Sequence, residues 1–201
     1  MENNTNLPKV PEQVVGSEVD VVDERKFQGE EEALKRYLVS SERLLDVNNW
    51  GKYAGISAFQ LIDNHGVRAQ RLAEHKDYIR IDIPGPGTKA GMGYDWVRIE
   101  EIERNDDGNE RYVLIRVRPC PHPLSDKNDT AHFLKDNATS TFIVRQKGNV
   151  VYAEEHGHNE LPNTTNGSLY DKGRNFVVGM AAKIGLSYPQ WSSLVKGLLA
   201  D

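Results

Sequence analysis

Two histidines near the end of the last predicted strand have a spacing that could serve a metal ion. His156 and His158 belong to the run EEHGHNE at residues 154–160. Alternate residues of a strand point to the same side, and two imidazoles placed in this way can bind a metal. The other candidate donors, which no recognised metal spacing links to this pair, are Glu154, Glu160, Cys120, His122 and His132. Gly157 indicates that the strand is ending, so we favour hydrogen-bonded histidines at a solvated hairpin end and predict no metal.

Cys120 and His122 raise the alternative of nucleophilic catalysis, because an imidazole beside a thiol can lower its pKa. They stand in the run CPHP at residues 120–123. Side chains two positions apart seldom orient a thiol toward a ring, and the prolines restrict adjustment. A buried, unreactive cysteine is therefore the favoured interpretation. The chain shows no Ser-His-Asp signature and no nucleotide fingerprint, so we predict no cofactor and favour a binding protein over an enzyme.

Five arginines fall on predicted strands, mostly on the side opposite the aliphatic residues: Arg80, Arg98, Arg116, Arg118 and Arg145. Adjacent strands could gather them into a cationic row that holds a carboxylate or phosphate by bidentate contacts. Arg80, Arg98 and Arg116 are the anion-binding candidates. The alternative is a solvated sheet face on which the arginines pair with acids of neighbouring strands. Those acids would be Asp82, Glu100, Glu101 and Glu154.

The run PGPGTKAGMG at residues 84–93 could bring backbone amides close to a phosphate. Lys89 would add positive charge. A phosphate loop leads into a helix, however, whereas residues 94–99 are predicted to form a strand. The spacing also matches neither common nucleotide-binding pattern. We therefore expect a plain connection between two strands, and a mobile lid over a pocket is the alternative.

Five large side chains are the candidates for the walls of a ligand pocket. Trp50, Tyr53 and Trp96 lie on or next to the predicted sheet, and Phe176 and Met180 lie on a predicted C-terminal helix. A pocket between sheet and helix would bring the two groups together. Aromatic side chains in this pattern are equally typical of a plain core.

Helices at the two ends of the chain and strands between them must position these residues. Acids at residues 30–32 and an apolar stripe predict a helix over residues 30–46. Alternating apolar residues predict six strands, over residues 59–62, 78–83, 94–103, 112–118, 139–146 and 150–155. Two adjacent acids at residues 100–101 suggest a bulge or the end of a strand. A change of period predicts a helix over residues 170–185 and a second helix that Ser187 caps.

Strands joined by short turns pair antiparallel, so we predict an α+β fold with an antiparallel sheet of about six strands. The N-terminal and C-terminal helices are the elements available to cover one face of it. Residues 1–28 contain prolines and acids and are predicted to be a disordered or loosely attached acidic tail, with an edge strand over residues 18–23 as the alternative. Residues 29–201 then form a single domain.

Charge and composition restrict the class of function. The 201 residues carry a net charge of −5, which argues against non-specific binding to nucleic acid or membranes. No run approaches the roughly 18 consecutive apolar residues of a membrane span. The single cysteine fits a reducing compartment, so the cytoplasm is the expected location. The oligomeric state stays open and includes a homo-oligomer.

The order of elements, together with the run LLDVNNWGKY at residues 44–53, resembles the START-like, helix-grip superfamily of ligand-binding domains. In that superfamily a short helical segment and a Trp precede a curved antiparallel sheet, and a C-terminal helix lies across it. The resemblance covers residues 33–200 and implies a site for lipids or other hydrophobic ligands.

We therefore expect a domain that binds a small apolar or amphipathic molecule between sheet and helix. Two alternatives belong to other classes. One is a hydrolase-type enzyme that uses a metal or the histidines, and it requires at least three donor side chains to converge. The other is a protein-interaction module without a small-molecule site, which requires a large exposed apolar patch or a symmetric contact.

Overall fold

Short turns and alternating apolar residues build the middle of the chain into an antiparallel sheet. The computed structural model describes residues 10–55, 57–83, 88–164, 171, 173 and 188–201. The strands are β1 (Ser17–Lys26), β2 (Ala58–Ile62), β3 (Tyr78–Asp82), β4 (Asp95–Asp106), β5 (Glu110–Pro119), β6 (Thr139–Lys147) and β7 (Val150–Glu160). The helices are α1 (Glu30–Leu45), a short 3-10 helix (Val47–Lys52) and α2 (Tyr188–Leu199). All strand pairs are antiparallel, which confirms the predicted α+β class.

The sheet has seven strands rather than six, in the order β1-β7-β6-β5-β4-β3-β2. The additional strand is β1, which pairs with β7 at the sheet edge. Residues 17–26 were predicted to belong to the tail of residues 1–28, but they form this strand. It includes residues 18–23, which were predicted as an edge strand in the alternative interpretation. Val21 is buried and Val19 packs against the core, whereas most positions between and around them are exposed. An edge strand with only one buried side has the polar composition of a tail, which explains the difference.

One side of the sheet, here called the inner face, is covered by α1 and α2; the opposite side is the outer face. Inner-face residues of all seven strands join one hydrophobic core with both helices. Aromatic rings whose centroids lie 5.0 to 6.4 Å apart occupy its centre, and they belong to Trp50, Phe59, Phe142 and Trp191. This cluster ties α2 and the 3-10 helix to the sheet, because it contains one tryptophan from each.

The adjacent acids at residues 100–101 lie at a bulge, as predicted. The register of β4 against β5 shifts between Ile99 and Glu101, so Glu100 is the extra residue. The insertion returns Ile102 to the inner face, where it packs against the core. Without it, the second half of β4 would turn its apolar side chain to the outer face.

The end of α2 is held by side chains from α1. Arg43 donates hydrogen bonds to the carbonyl oxygens of Gly197 at 3.2 Å and Ala200 at 2.5 Å. The Ser40 hydroxyl donates to the Leu198 carbonyl at 2.7 Å. The last carbonyls of a helix have no partner within it, so these donors satisfy groups that the helix leaves open. They fix α2 across the inner face.

Close packing and charge add to this attachment. An ideal Cβ at Gly197 would lie 2.5 Å from Cβ of Tyr53, so only a glycine allows α2 to approach so closely. Beyond the helix, Asp201 forms ion pairs with Arg25 at 2.8 Å and with Arg36 at 2.7 Å. The terminal residues of the chain are thus tied to both β1 and α1.

The helices at the two ends agree with the sequence where they can be compared. The first was predicted over residues 30–46 and is observed as α1 over Glu30–Leu45. The helix predicted after Ser187 is α2, and the helix predicted over residues 170–185 falls almost entirely outside the described residues. Within the described ranges, no helix has the length and apolar character needed to cross a membrane.

Candidate functional site

The arginines of the outer face are engaged by neighbouring side chains. Arg116 forms an ion pair with Glu101 at 2.6 Å. Arg80 and Arg98 lie over tyrosine rings, at 4.3 and 5.7 Å from the ring centroids. The remaining two form ion pairs with acids, Arg118 with Glu100 and Arg145 with Glu154, and the second of these pairs is largely buried. Anion binding by Arg80, Arg98 and Arg116 therefore stays a prediction.

The two histidines bind other parts of the protein. His156 has one ring nitrogen 2.5 Å from Asp20 of β1 and the other 3.0 Å from Glu154. Burial lowers the pKa of His156, but the two carboxylates outweigh that effect and hold its pKa above the usual value. The ring of His158 contacts the Pro11 carbonyl oxygen. The described part of the chain contains no group of three metal-ligating side chains, so the convergence that a metal-dependent enzyme requires is not present there.

Cys120 is buried, and burial raises the pKa of its thiol to about 12. The His122 ring instead lies against Trp96, with ring centroids 4.6 Å apart. Its Nδ1 accepts a hydrogen bond from the backbone of Leu124. A thiol in this state is protonated at neutral pH and is a poor nucleophile.

The structure separates the residues proposed as pocket walls. Trp50 lies in the inner-face core, and Tyr53 packs against α2 on the same side. Trp96 lies on the outer face, in a separate cluster with Cys120. Its neighbour Val97 occupies the inner face, so the alternation of the strand turns the indole away from Trp50. Phe176 and Met180 fall outside the described residues.

The glycine-rich segment over residues 84–93 is described only from Thr88 onward. The Thr88 hydroxyl accepts a hydrogen bond from the Gly91 amide at 2.9 Å and donates one to the Tyr94 carbonyl at 2.8 Å. The Lys89 amide donates to Asp171 at 2.7 Å. The described half is thus a turn that the Thr88 hydroxyl closes and that Asp171 contacts from outside the segment, and the choice between connection and lid stays a prediction.

Strand β7 brings an acid into the apolar inner face. Val151 and Ala153 of this strand are buried in the core, and Glu155 follows in the same phase. The Glu155 side chain is fully buried, with an exposed fraction of 0%. Neither of its carboxylate oxygens has a hydrogen-bond partner among the residues that the structure describes. Buried polar groups in folded proteins are nearly always paired, so this carboxyl marks a site that needs an explanation.

Glu160 brings a second carboxyl to the same place. Gly157 lies between the two acids, and an ideal Cβ there would be 2.7 Å from Oε1 of Glu160 and 3.3 Å from Oε1 of Glu155. The two carboxyls therefore approach the same point beside Gly157, and the Glu160 carboxyl takes up space that a side chain at this position would need. Glu160 is partly exposed and Glu155 is buried, so the pair leads from the surface toward the inner face.

Both acids hold their protons more tightly than an exposed glutamate does. Burial raises the pKa of Glu160 to about 7. Burial, and then the negative charge of Glu160, raise the pKa of Glu155 well above its usual value. The Ser140 hydroxyl moderates the pKa of Glu155 without reaching hydrogen-bonding geometry. Acids with strongly shifted pKa values concentrate at functional sites, because function requires arrangements that stability alone would not favour.

Apolar side chains frame the acid pair. In the strand register, Glu155 lies between Phe142 of β6 and Val21 of β1. Phe142 also contacts Trp191 of α2, with ring centroids 5.3 Å apart. A polar pair on an otherwise apolar wall is the usual composition of a small-molecule site.

The sequence contains a signal for this site in the alternation of β7. The predicted strand ends at residue 155, and Glu160 was predicted only as an accessory metal donor. The observed strand continues to Glu160. Extending the alternation from Val151 and Ala153 would have assigned Glu155 to the buried side.

Comparison with solved structures gives the fold a context. The chain is similar to the hypothetical protein jhp0584 from Helicobacter pylori, with a TM-score of 0.54 and 13% identity over 98% of each chain. A STAR-related lipid transfer protein from Xanthomonas axonopodis gives a TM-score of 0.44 and 13% identity, over 90% of this chain and 86% of that chain. A norcoclaurine synthase mutant from Thalictrum flavum gives 0.38 and 11%, over 93% and 98%. No family model and no curated protein matches the chain.

The architecture confirms the predicted helix-grip resemblance at the level of the fold. A first strand pairs with the last strand, two helical segments follow it, and the remaining strands form an open antiparallel sheet. The C-terminal helix lies on the inner face, in contact with β1 and β7. This arrangement is that of a START-like, helix-grip fold.

Proposed function

We propose that this protein binds a small amphipathic molecule against the inner face of its sheet, beside Glu155, Gly157 and Glu160. The observation that supports the proposal is the Glu155 carboxyl, which is fully buried and has no hydrogen-bond partner among the described residues. A ligand with an apolar body and one polar group would satisfy it.

The energetic argument starts from the cost of leaving such a group unpaired. Burial of a polar group without a compensating hydrogen bond costs about 1 to 3 kcal/mol in proteins. Substituting an apolar residue would avoid that cost, and the strand already has apolar residues at the two preceding inner-face positions, Val151 and Ala153. A bound molecule that pairs with the carboxyl gives Glu155 a role that the empty protein does not.

The surroundings set the character of the ligand. Phe142 and Val21 flank Glu155 along the register, and Val19 faces Gly157 across β1 and β7. These side chains would contact the apolar body of the ligand. Ser140, opposite Gly157 on β6, is the further polar group at this position. In such sites, a small number of polar groups on an apolar wall orients the ligand and provides specificity.

Binding of a neutral fluorescent probe tests the proposal. The apolar dye N-phenyl-1-naphthylamine should gain fluorescence on binding to the full-length chain, and octanol should displace it. The Gly157→Ala variant should weaken binding, because its Cβ would occupy the space between the two carboxyls. The contact that this Cβ makes is with the end of the Glu160 side chain, which can move, so we expect the fold to survive.

Gly29→Ala is the matched control. A Cβ at Gly29 would meet nothing within 4 Å, and the residue lies before α1, away from the acid pair. Its probe affinity should equal that of the wild type. Absence of probe binding by the wild type, or equal affinity in a folded Gly157→Ala variant, would refute a ligand site at this position.

A further inference from the structure

We infer that the ligand of this site carries a protonated amine, held between the carboxyl groups of Glu155 and Glu160. The inference rests on the proposed function and specifies the polar end of the ligand. It follows from the negative charge of the site and from the hydrogen-bond acceptors that the two carboxyls offer.

Among the residues that the structure describes, the acid pair has no cationic partner. Glu155 and Glu160 both place an oxygen within 3.3 Å of the position that a Cβ of Gly157 would take. Burial raises the pKa of both carboxyls, and Glu160, Ser140 and Asp20 also act on Glu155. No lysine, arginine or histidine of the described ranges is among the groups that act on either acid. An ammonium group has three donors and one positive charge, which two adjacent carboxyls can accept.

A metal ion fits the same place less well. Calcium takes six to eight oxygen ligands and zinc takes four, whereas the site offers two carboxyls and one hydroxyl. The described residues contain no cluster of three acidic, histidine or cysteine side chains that could hold a metal. Phe142, Val21 and Val19 around the acids suit the hydrocarbon part of an amine and offer no ligand atoms. An organic cation therefore matches the composition better.

The pH dependence of binding separates an amine from other ligands. Glu155 and Glu160 face the site from β7, Ser140 faces it from β6, and Asp20 of β1 adds negative charge from nearby. An ammonium ion binds the ionised form of the acids. Glu160 has a pKa of about 7. The affinity of the ammonium ion should therefore increase as pH rises through that value and Glu160 loses its proton. A neutral ligand that accepts a hydrogen bond from the protonated acids would bind more weakly over the same range.

Three probes of equal chain length isolate the head group: octylammonium, octanol and octanoate, each displacing N-phenyl-1-naphthylamine from the full-length chain. Near pH 8 we expect octylammonium to bind at least about tenfold more tightly than octanol, and octanoate to bind least. Near pH 5 the preference for octylammonium over octanol should shrink. Glu155→Gln and Glu160→Gln should each reduce that preference and leave octanol affinity within about threefold of the wild type. Glu24→Gln, an exposed change on β1, should alter neither.

Each outcome decides one of the two proposals. If octanol and octylammonium bind equally near pH 8, or if octanoate binds best, the amine is wrong and the ligand site stands. If calcium, magnesium or zinc chloride alone displaces the dye, the acid pair holds a metal and the amine is again wrong. If neither the dye nor any of the three octyl probes binds, the proposed function itself is wrong. Loss of octanol binding in both Gln variants would show that the acids support the fold of the site, and it would overturn their role in choosing a cation.

Discussion

Phe142 and Glu155 lie directly opposite each other on β6 and β7, on the same side of the sheet. The ring is 1% exposed and the carboxyl is 0% exposed. The aromatic centre of the core and this acid, which has no hydrogen-bond partner among the described residues, are therefore neighbours. Because the ring also contacts Trp50 and Trp191, a molecule that reaches Glu155 would meet the apolar contacts that hold the helices to the sheet.

The first prediction concerns stability against pH. Glu160 has a pKa of about 7 in the folded protein and an ordinary value of 4.5, so between these values the folded chain holds a proton that the unfolded chain releases. The free energy of unfolding should therefore fall as pH rises through that window. Glu160→Gln and Glu155→Gln should melt at a higher temperature than the wild type near pH 8, by roughly 2 to 4 °C for each kcal/mol of ionisation cost removed. The difference should shrink near pH 4.

Thermal melts followed by circular dichroism at both pH values check this prediction. Glu24→Gln is the matched control, because Glu24 is an exposed residue of β1 and its replacement should leave the melting temperature unchanged at either pH. A Glu155→Gln variant that is less stable than the wild type near pH 8 would mean that the carboxyl has a partner that stabilises its charge.

The second prediction concerns the contact between α2 and the 3-10 helix. Alanine normally stabilises a helix relative to glycine, by about 1 kcal/mol. Gly197→Ala should nevertheless destabilise the protein by about 1 to 3 kcal/mol, because its Cβ would lie 2.5 Å from the Tyr53 side chain. Urea unfolding should show a lower midpoint for Gly197→Ala. Lys196→Ala, one residue away on the exposed side of α2, should leave the midpoint nearly unchanged, and a stabilised Gly197→Ala would contradict the observed packing.

The third prediction concerns the end of α2. Arg43→Ala removes the donor of hydrogen bonds to the Gly197 and Ala200 carbonyls and should lower the free energy of unfolding by about 1 to 2 kcal/mol. Lys35→Ala on the same helix is the control, since Lys35 forms only an exposed pair with Glu31. Amide hydrogen exchange in residues 194–199 should accelerate in Arg43→Ala alone. Unchanged exchange there would show that the cap contributes nothing to holding the helix.

The fourth prediction concerns Cys120. Burial raises the pKa of its thiol to about 12, so the native protein should not react with a disulfide reagent such as dithionitrobenzoate near pH 8. One thiol per chain should react after unfolding in urea. Rapid reaction in the native state would show that the thiol is accessible and would reopen the catalytic interpretation of Cys120 with His122.

The fold was largely predictable because its signals are local. Apolar runs and alternation between residues 59 and 155 located six strands within five residues of their observed bounds, and the two adjacent acids at residues 100–101 indicated the bulge. The edge strand β1 was less evident because burial of one side through Val19 and Val21 gives only a two-residue apolar signal. Its pairing with β7 is a contact between residues more than 120 positions apart, which no local pattern specifies.

The site was harder to predict for a related reason. Trp96 and Trp50 look equivalent as aromatic residues, and only the phase of β4 shows that they occupy opposite faces. Burial raises the pKa of Glu160, and burial together with the charge of Glu160 raises the pKa of Glu155; both causes are products of tertiary structure. An arginine on a strand likewise does not reveal whether an acid such as Glu101 stands beside it.

The most direct test of the central claim is an NMR titration of the glutamate side-chain carboxyls in isotope-labelled protein, with and without octylammonium. In the free protein, Glu160 should titrate near pH 7 and Glu155 well above the ordinary value of 4.5. Octylammonium should lower both midpoints and shift both carboxyl resonances, because the bound cation favours ionised acids. Ordinary midpoints in the free protein, or midpoints that the amine leaves unchanged at saturating concentration, would contradict the account.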